Sequence, residues 1–114
     1  MYNDTPNELK KLIRITEVLR DRIGQNISLA VVHTFLLAVQ HPDEGVVDLT
    51  KRLKTNKATV SRHLLDLSEK LRTGEPGYGV LKRMPDQPDL REVRYSVTPK
   101  GAEILNSLSN ILTD

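Results

Sequence analysis

Two short helical patterns joined by a turn constrain the fold of this chain more than any other feature. DLTKRL, residues 48–53, predicts a short helix, and NKATVSRHLLDLSEKL, residues 56–71, predicts the next one, capped by Thr55 or Asn56. Only the turn KTN separates them. Two short helices joined by a turn of three or four residues form a helix-turn-helix. We therefore expect a mainly helical domain built around this pair.

The second helix of the pair separates its apolar residues from its polar ones. An apolar stripe follows the spacing i, i+4, i+7, i+11, and it consists of Val60, Leu64, Leu67 and Leu71. Arg62 lies about 180° from this stripe. The polar and small residues that share the first half of the helix with it are Asn56, Lys57, Ala58, Thr59 and Ser61.

That cluster has the chemistry of a recognition helix. Small residues permit a close approach to a nucleic-acid groove, and hydroxyl groups and arginine reach base edges or phosphates. The N-terminus of a helix also favours anions. The alternative is an ordinary surface helix that begins with polar residues.

A charged hairpin is predicted after the helix pair. GVLKR, residues 79–83, and VRYSV, residues 93–97, are strand-like and rich in β-branched residues. Between them, MPDQPDLRE predicts a polar tip that carries Arg91. A helix-turn-helix followed by such a hairpin is a winged helix. The predicted fold class is therefore mainly α with a small β-hairpin wing, as one domain over residues 1–114.

A first helix is predicted over residues 7–23. Its apolar side chains spread over roughly 220° of the helix, about twice the arc that one buried face needs. We expect one side to pack within the domain and an outer side, including Ile15 and Val18, to pack against a second copy of the chain. A helix held within one domain is the alternative.

The segment between the first helix and the helix pair predicts a buried helix and a brief strand. Ser28 is a plausible N-cap, and AVVHTFLLAVQ, which follows, is nearly all apolar and ends just before Pro42. We expect His33 to be a core or interface residue rather than a metal ligand, because no second ligand stands at helical spacing from it. After the turn at residues 42–45, GVV predicts a short strand.

The end of the chain predicts a last helix over residues 98–112. Thr98 is its expected N-cap, and Pro99 occupies the first helical position, where proline is favoured. A single apolar stripe follows, formed by Ile104, Leu105, Leu108, Ile111 and Leu112. We expect this helix and the first one to form a dimer interface.

Composition and charge narrow the function. The absence of cysteine excludes disulfides, thiolate metal sites and cysteine nucleophiles. Residues 46–95 carry eleven Lys and Arg against seven Asp and Glu, whereas both ends have a slight acidic excess. This modest basic segment suits contact with phosphate. No run of 18 apolar residues and no signal peptide are visible, so we expect a soluble cytoplasmic protein without a membrane partner.

Two segments resemble the MarR family of winged-helix transcription regulators. VLKRMPDQPDLREVRYSVTPKG, residues 80–101, is similar to the family's wing pattern and places in register Arg83, Asp86, Asp89, Arg91, Thr98 and Gly101. LTKRLKTNKATVSRHLLDL is similar to the family's helix pair, with Thr59, Ser61 and Arg62 at its DNA-facing positions. The resemblance covers roughly residues 46–105.

The resemblance implies a homodimer that binds a pseudo-palindromic site in double-stranded DNA. The recognition helices would enter successive major grooves, Arg91 would reach the flanking minor groove, and Asp89 would brace it. Residues 46–97 would be the helix-turn-helix and wing, with residues 7–23 and 98–112 as dimerisation helices. Small-molecule control is common in the family, although low aromatic content offers little to stack an aromatic effector.

Two other classes of function compete with a DNA-binding regulator. A winged helix also serves as a protein adaptor of a transcription or replication complex, and the modest positive charge is compatible with that role. An enzyme is disfavoured, because the three histidines are scattered and Asp86 and Asp89 belong to the wing rather than to a cleft. We expect no catalytic residues, no metal site and no cofactor.

Overall fold

The computed structural model describes residues 5–69, 76–84 and 93–114. Their elements, in chain order, are α1 (Asn7–Arg22), α2 (Leu29–Gln40), α3 (Val46–Leu53), α4 (Lys57–Leu67), β1 (Leu81–Arg83), β2 (Tyr95–Val97) and α5 (Pro99–Thr113). The two strands are antiparallel and pair Leu81 with Val97 and Arg83 with Tyr95. A helix-turn-helix followed by this hairpin is a winged helix, which confirms the predicted fold class.

The core lies where α2, α3, α4 and the hairpin meet. α2 packs against α3, α4 and β2, and α3 packs against α4. Side chains with no exposed surface come from three helices and the residue before β1, and they include Phe35, Val60, Leu64, Leu67, Val80 and Ile104. The predicted stripe of α4 therefore faces the core through Val60, Leu64 and Leu67, while Leu71 lies outside the described residues.

α1 and α5 form an antiparallel pair, which we call the α1–α5 arm. At one end, the Lys11 Nζ donates to the Leu112 carbonyl at 3.3 Å and Arg14 approaches Asp114 at 3.4 Å. At the other end, Arg22 lies 3.7 Å from Glu103. These exposed ion pairs are weak, so apolar contact between the helices supplies most of their attraction.

The outer side of α1 differs from the predicted one. Ile15 and Val18 are half-buried and pack against the core, so the prediction that they lie on an outer side is wrong. Leu12 and Ile13 are instead 57% and 51% exposed. The apolar arc of this helix is wide enough for either orientation, and contact with α5 selects the one observed.

α2 is buried on one side only. Phe35 and Thr34 have no exposed surface, whereas Leu29 is 84% and Leu36 is 41% exposed. His33, predicted as a core or interface residue, lies on the exposed side, so the core position is wrong and the interface position stays a prediction. Ser28 caps the helix as predicted, with its Oγ accepting from the Val31 amide at 3.2 Å.

The segment predicted as a brief strand is the start of α3. Gly45 is the N-cap, and its carbonyl accepts from the Leu49 amide at 3.1 Å. Leu49 is 3% exposed. Burial of this leucine on a helical face outweighs the strand preference of Val46 and Val47, because β propensity is weak against tertiary packing.

The turn between α3 and α4 is shaped by a left-handed residue. Lys54, the C-cap of α3, has φ 55° and ψ 43°, a conformation that costs a residue with a Cβ roughly 1 kcal/mol. Its amide donates back to the Lys51 carbonyl at 3.3 Å. The chain thereby reverses within three residues and starts α4.

α4 ends at Leu67, short of the predicted end at residue 71. The returning chain satisfies the carbonyls at its C-terminal end: the Tyr78 amide donates to Asp66, Gly79 to Ser68 and Val80 to Leu67, each at 2.9 Å. These bonds replace the ones that a longer helix would make. The hairpin is therefore attached directly to the end of α4.

The start of α5 is held tightly against the same segment. The Thr98 Oγ1 donates to the Gly79 carbonyl at 2.6 Å and accepts from the Gly101 amide at 3.0 Å, as expected of an N-cap. A Cβ on Gly101 would overlap the Val80 carbonyl oxygen. The absence of a side chain at this position therefore allows the helix to sit directly on the strand.

In the part of the chain that the structure describes, no helix is long and apolar enough to cross a membrane.

Candidate nucleic-acid interface

The exposed N-terminal half of α4 is the centre of the candidate interface. Lys57, Ala58, Ser61 and Arg62 are exposed and Thr59 is half-buried, while the opposite side of the helix enters the core. The structure therefore brings together the polar cluster predicted from the sequence. Free amide groups at the helix start add a positive potential to the two cations.

Asn56 has a structural task in this cluster. Its Oδ1 accepts from the Thr59 amide at 2.9 Å, and its extended backbone makes it the N-cap of α4. This settles the choice between Thr55 and Asn56 in favour of Asn56. The side chain that the sequence suggested for DNA contact is therefore engaged in setting where the helix begins.

Arg83 lies across a hollow from α4. It belongs to β1, is exposed, and lines an open hollow of about 390 Å³ together with Lys57, Ser61, Val46, Leu65, Val93 and Tyr95. Burial raises the pKa of the Tyr95 phenol, although Arg83 opposes this effect. The phenol is therefore neutral at ordinary pH, and the positive charges of Lys57 and Arg83 face one surface from two elements.

An ion pair joins α3, the first helix of the helix-turn-helix, to the turn that precedes it. Arg52 donates from Nε and Nη2 to the two carboxylate oxygens of Glu44, at 2.6 and 2.7 Å. The hydrogen bonds and charge of Arg52, with a smaller effect from His41, hold the pKa of Glu44 below its ordinary value. Arg52 therefore adds less to the positive field than a count of charges suggests, while Lys51 and Lys54 are exposed nearby in the chain.

A hydrogen bond that the sequence did not predict joins α4 to α2. The His63 Nδ1 lies 3.0 Å from the Oγ1 of Thr34, which has no exposed surface. Burial and the charge of Arg62 lower the pKa of His63 from its ordinary value of 6.5, and Asp66 opposes them. Nothing in the sequence indicates this bond, because the two residues are far apart in the chain and neither belongs to an apolar stripe.

Two of the predicted DNA-binding residues belong to the wing tip. Asp89 and Arg91, the two predicted site residues of the tip, lie outside the described residues.

Within residues 5–69, 76–84 and 93–114, no group of three His, Asp or Glu side chains could hold a metal ion.

The sequence matches no protein-family model, and it matches no curated protein. Several solved structures are nevertheless similar to the fold over nearly its whole length.

A cysteine-to-serine mutant of MarR from E. coli aligns with 95% of this chain and 71% of its own, at 21% identity and a TM-score of 0.61. RV1404 from Mycobacterium tuberculosis aligns with 97% of this chain and 76% of its own, at 15% identity and a TM-score of 0.59. BpsR from Bordetella bronchiseptica is a protein whose DNA binding is regulated by 6-hydroxynicotinic acid. It aligns with 99% of this chain and 77% of its own, at 17% identity and a TM-score of 0.54. The chain therefore has a MarR-like winged-helix fold.

Proposed function

We propose that this winged-helix chain is a sequence-specific double-stranded DNA-binding transcription regulator that acts as a homodimer. One observation carries the proposal: a helix of a MarR-like fold exposes Lys57, Ser61 and Arg62 while its opposite side is anchored in the core. The exposed half fits a major groove, which admits an α-helix. The proposed contacts to DNA come from Lys57, Ala58, Thr59, Ser61 and Arg62, with Asn56 as their cap.

The wing extends the proposed contact to the flanking minor groove. Arg83 supports this arrangement, because it shares a hollow with Lys57 and Ser61. We propose that Arg91 enters the minor groove and that Asp89 orients its guanidinium. The minor groove reports width more than base identity, so the wing should strengthen binding to all sequences while α4 selects among them.

The homodimer is proposed from the exposed apolar residues of the α1–α5 arm. Leu12, Ile13 and Leu112 are each more than half exposed, and Leu112 is beside Lys11. A second copy that covered them would place two recognition helices on one duplex, as a palindromic site requires.

The experiment starts by selecting bound duplexes from a random pool. Dissociation constants are then measured for the selected duplex and for an unrelated duplex at one salt concentration, because phosphate contacts make affinity depend on salt. Arg62→Ala should lose roughly 1 to 3 kcal/mol per half-site on the selected duplex and much less on the unrelated one. Lys10→Ala, which removes an exposed cation from α1, is the control and should preserve the ratio of the two constants.

A winged-helix protein adaptor is the second candidate. Leu29 and Leu36 support it, because both are exposed on the side of α2 that faces away from the core. An adaptor would show no steep dependence on salt in binding to random duplex. Equal affinity of the wild type and Arg62→Ala for every duplex would also favour the adaptor. The DNA binding of the Bordetella protein is regulated by 6-hydroxynicotinic acid, which motivates a search for a small-molecule effector of this chain.

A further inference from the structure

The hydrogen bond between His63 and Thr34 is the starting point for an inference that rests on the proposed function. In the described part of the chain, it is the one side-chain hydrogen bond that joins α4 to another helix. Thr34 has no exposed surface, so its hydroxyl needs partners inside the protein. His63 immediately follows Arg62, the central residue of the proposed interface.

The direction of this bond follows from the second contact of Thr34. The Thr34 Oγ1 lies 2.9 Å from the Ala30 carbonyl and donates its proton there. A hydroxyl has one proton, so Oγ1 must accept from the Nδ1–H of His63. Burial and Arg62 lower the pKa of His63, and the neutral ring at neutral pH therefore carries its proton on Nδ1.

A hydrogen bond fixes the rotation of α4 more sharply than apolar packing does. Val60, Leu64 and Leu67 hold the helix in the core through contacts that have no preferred direction, whereas a hydrogen bond weakens steeply when its geometry changes. Side chains end about 5 to 6 Å from a helix axis, so a rotation of roughly 20° moves them by about 2 Å. A displacement of that size would break a bidentate contact between Arg62 and a base.

We propose that His63 is a positioning residue for DNA recognition: its Nδ1–H, donated to the buried Thr34 hydroxyl, fixes the rotation of α4 that presents Arg62 to the major groove. His63 needs no contact with a base in this role. Its effect reaches DNA through the orientation of the helix. Affinity for the selected duplex should therefore depend on it more than affinity for an unrelated duplex.

A matched pair of substitutions separates the two ring nitrogens. The side-chain nitrogen of asparagine can take the place of Nδ1 and donate to Thr34, whereas that of glutamine reaches the place of Nε2. His63→Asn should keep the ratio of dissociation constants for unrelated and selected duplex, and His63→Gln should lower it about fivefold to tenfold, the effect of losing one net hydrogen bond per subunit. Helix propensity favours glutamine over asparagine, so the expected order opposes the order that helix stability alone would give.

Substitution of Thr34 tests the same bond from its other end. Thr34→Ser keeps the hydroxyl and should keep the ratio, whereas Thr34→Val keeps the shape and should lower it as His63→Gln does. All variants are measured well below their unfolding midpoints. Because both changes remove one bond, Thr34→Val combined with His63→Gln should cost little more than either alone.

The outcomes distinguish this inference from the proposed function. If His63→Gln lowers the unfolding midpoint but preserves the ratio, His63 is merely structural and the inference is wrong. Loss of the ratio in His63→Asn to the same extent as in His63→Gln would also overturn it. A wild type that prefers no duplex would overturn the proposed function together with the inference, whereas a preference that depends on Arg62 but not on His63 would overturn the inference alone.

Discussion

The His63 imidazole should make the stability of this protein depend on pH near neutrality. The pKa of His63 is lowered in the folded state, first by burial and then by the charge of Arg62, against the opposing effect of Asp66. The unfolded chain therefore binds a proton more readily than the folded one. Stability contributed by the neutral ring is fully present above the ordinary pKa of 6.5 and is lost as pH falls below it towards the folded pKa.

Two buffers, at about pH 7.5 and about pH 5.5, lie on either side of the ordinary histidine pKa of 6.5. Between them, we expect the free energy of unfolding to fall more for the wild type than for His63→Asn. Urea denaturation at the two pH values measures the difference. His33 and His41 are present in both proteins, so the comparison isolates His63. A difference equal in wild type and variant would show that His63 titrates alike in the folded and unfolded states.

For the helix α4, substitutions of Asn56 test the stability of the helix and its contact with DNA separately. Asn56→Ala removes the acceptor of the Thr59 amide and should lower the free energy of unfolding by about 1 kcal/mol. Asn56→Asp keeps an acceptor and should preserve stability, but its negative charge should weaken binding to every duplex. Thermal denaturation and titration with the selected and unrelated duplexes measure the two effects.

If Asn56→Asp binds DNA as tightly as the wild type, the start of α4 is not close to phosphates. Asn56→Ser is the control, because serine caps a helix as well as asparagine does without adding charge. It should match the wild type in both assays.

Features that depend on residues close together in the chain could be predicted from the sequence. Thr98 caps α5, Asn56, one of the two expected residues, caps α4, and the stripe through Val60 is buried, because capping and helical spacing depend on residues a few positions apart. The start of α3 at Val46 could not be predicted, since packing against distant helices decided it. For the same reason, the sequence revealed neither the partner of His63 nor that α4 ends at Leu67, where the amides of residues 78–80 satisfy the carbonyls at its C-terminal end.

The exposed apolar residues of the α1–α5 arm predict that two copies of the molecule assemble into a dimer. Leu12→Asp together with Ile13→Asp should convert a dimer into a monomer, because a charge at an apolar interface is left without a partner. Sedimentation should change from twice the chain mass of 12.9 kDa to that mass. Folding should be preserved, because both residues are exposed in the single chain.

The same substitutions at Ile15 and Val18 provide a contrasting pair. These residues pack against the core, so aspartate there should unfold the chain rather than separate two folded copies. Circular dichroism distinguishes the two results. A wild type that sediments as a monomer at micromolar concentration would contradict the proposed homodimer.

Because α5 packs closely against the strand segment at Gly101, a small change of its angle there moves the far end of the α1–α5 arm by several ångströms. α5 ends at Thr113, so about 18 Å of the helix lies beyond Gly101, and a tilt of about 10° there displaces its far end by about 3 Å. A base-pair step is about 3.4 Å. In the proposed dimer the arms join the two copies, and the angle at which each arm leaves its winged helix sets the distance between the two recognition helices. In the proposed dimer, a methyl group added at Gly101 would push α5 away from the Val80 carbonyl oxygen and would therefore change the spacing of the half-sites that the two recognition helices fit.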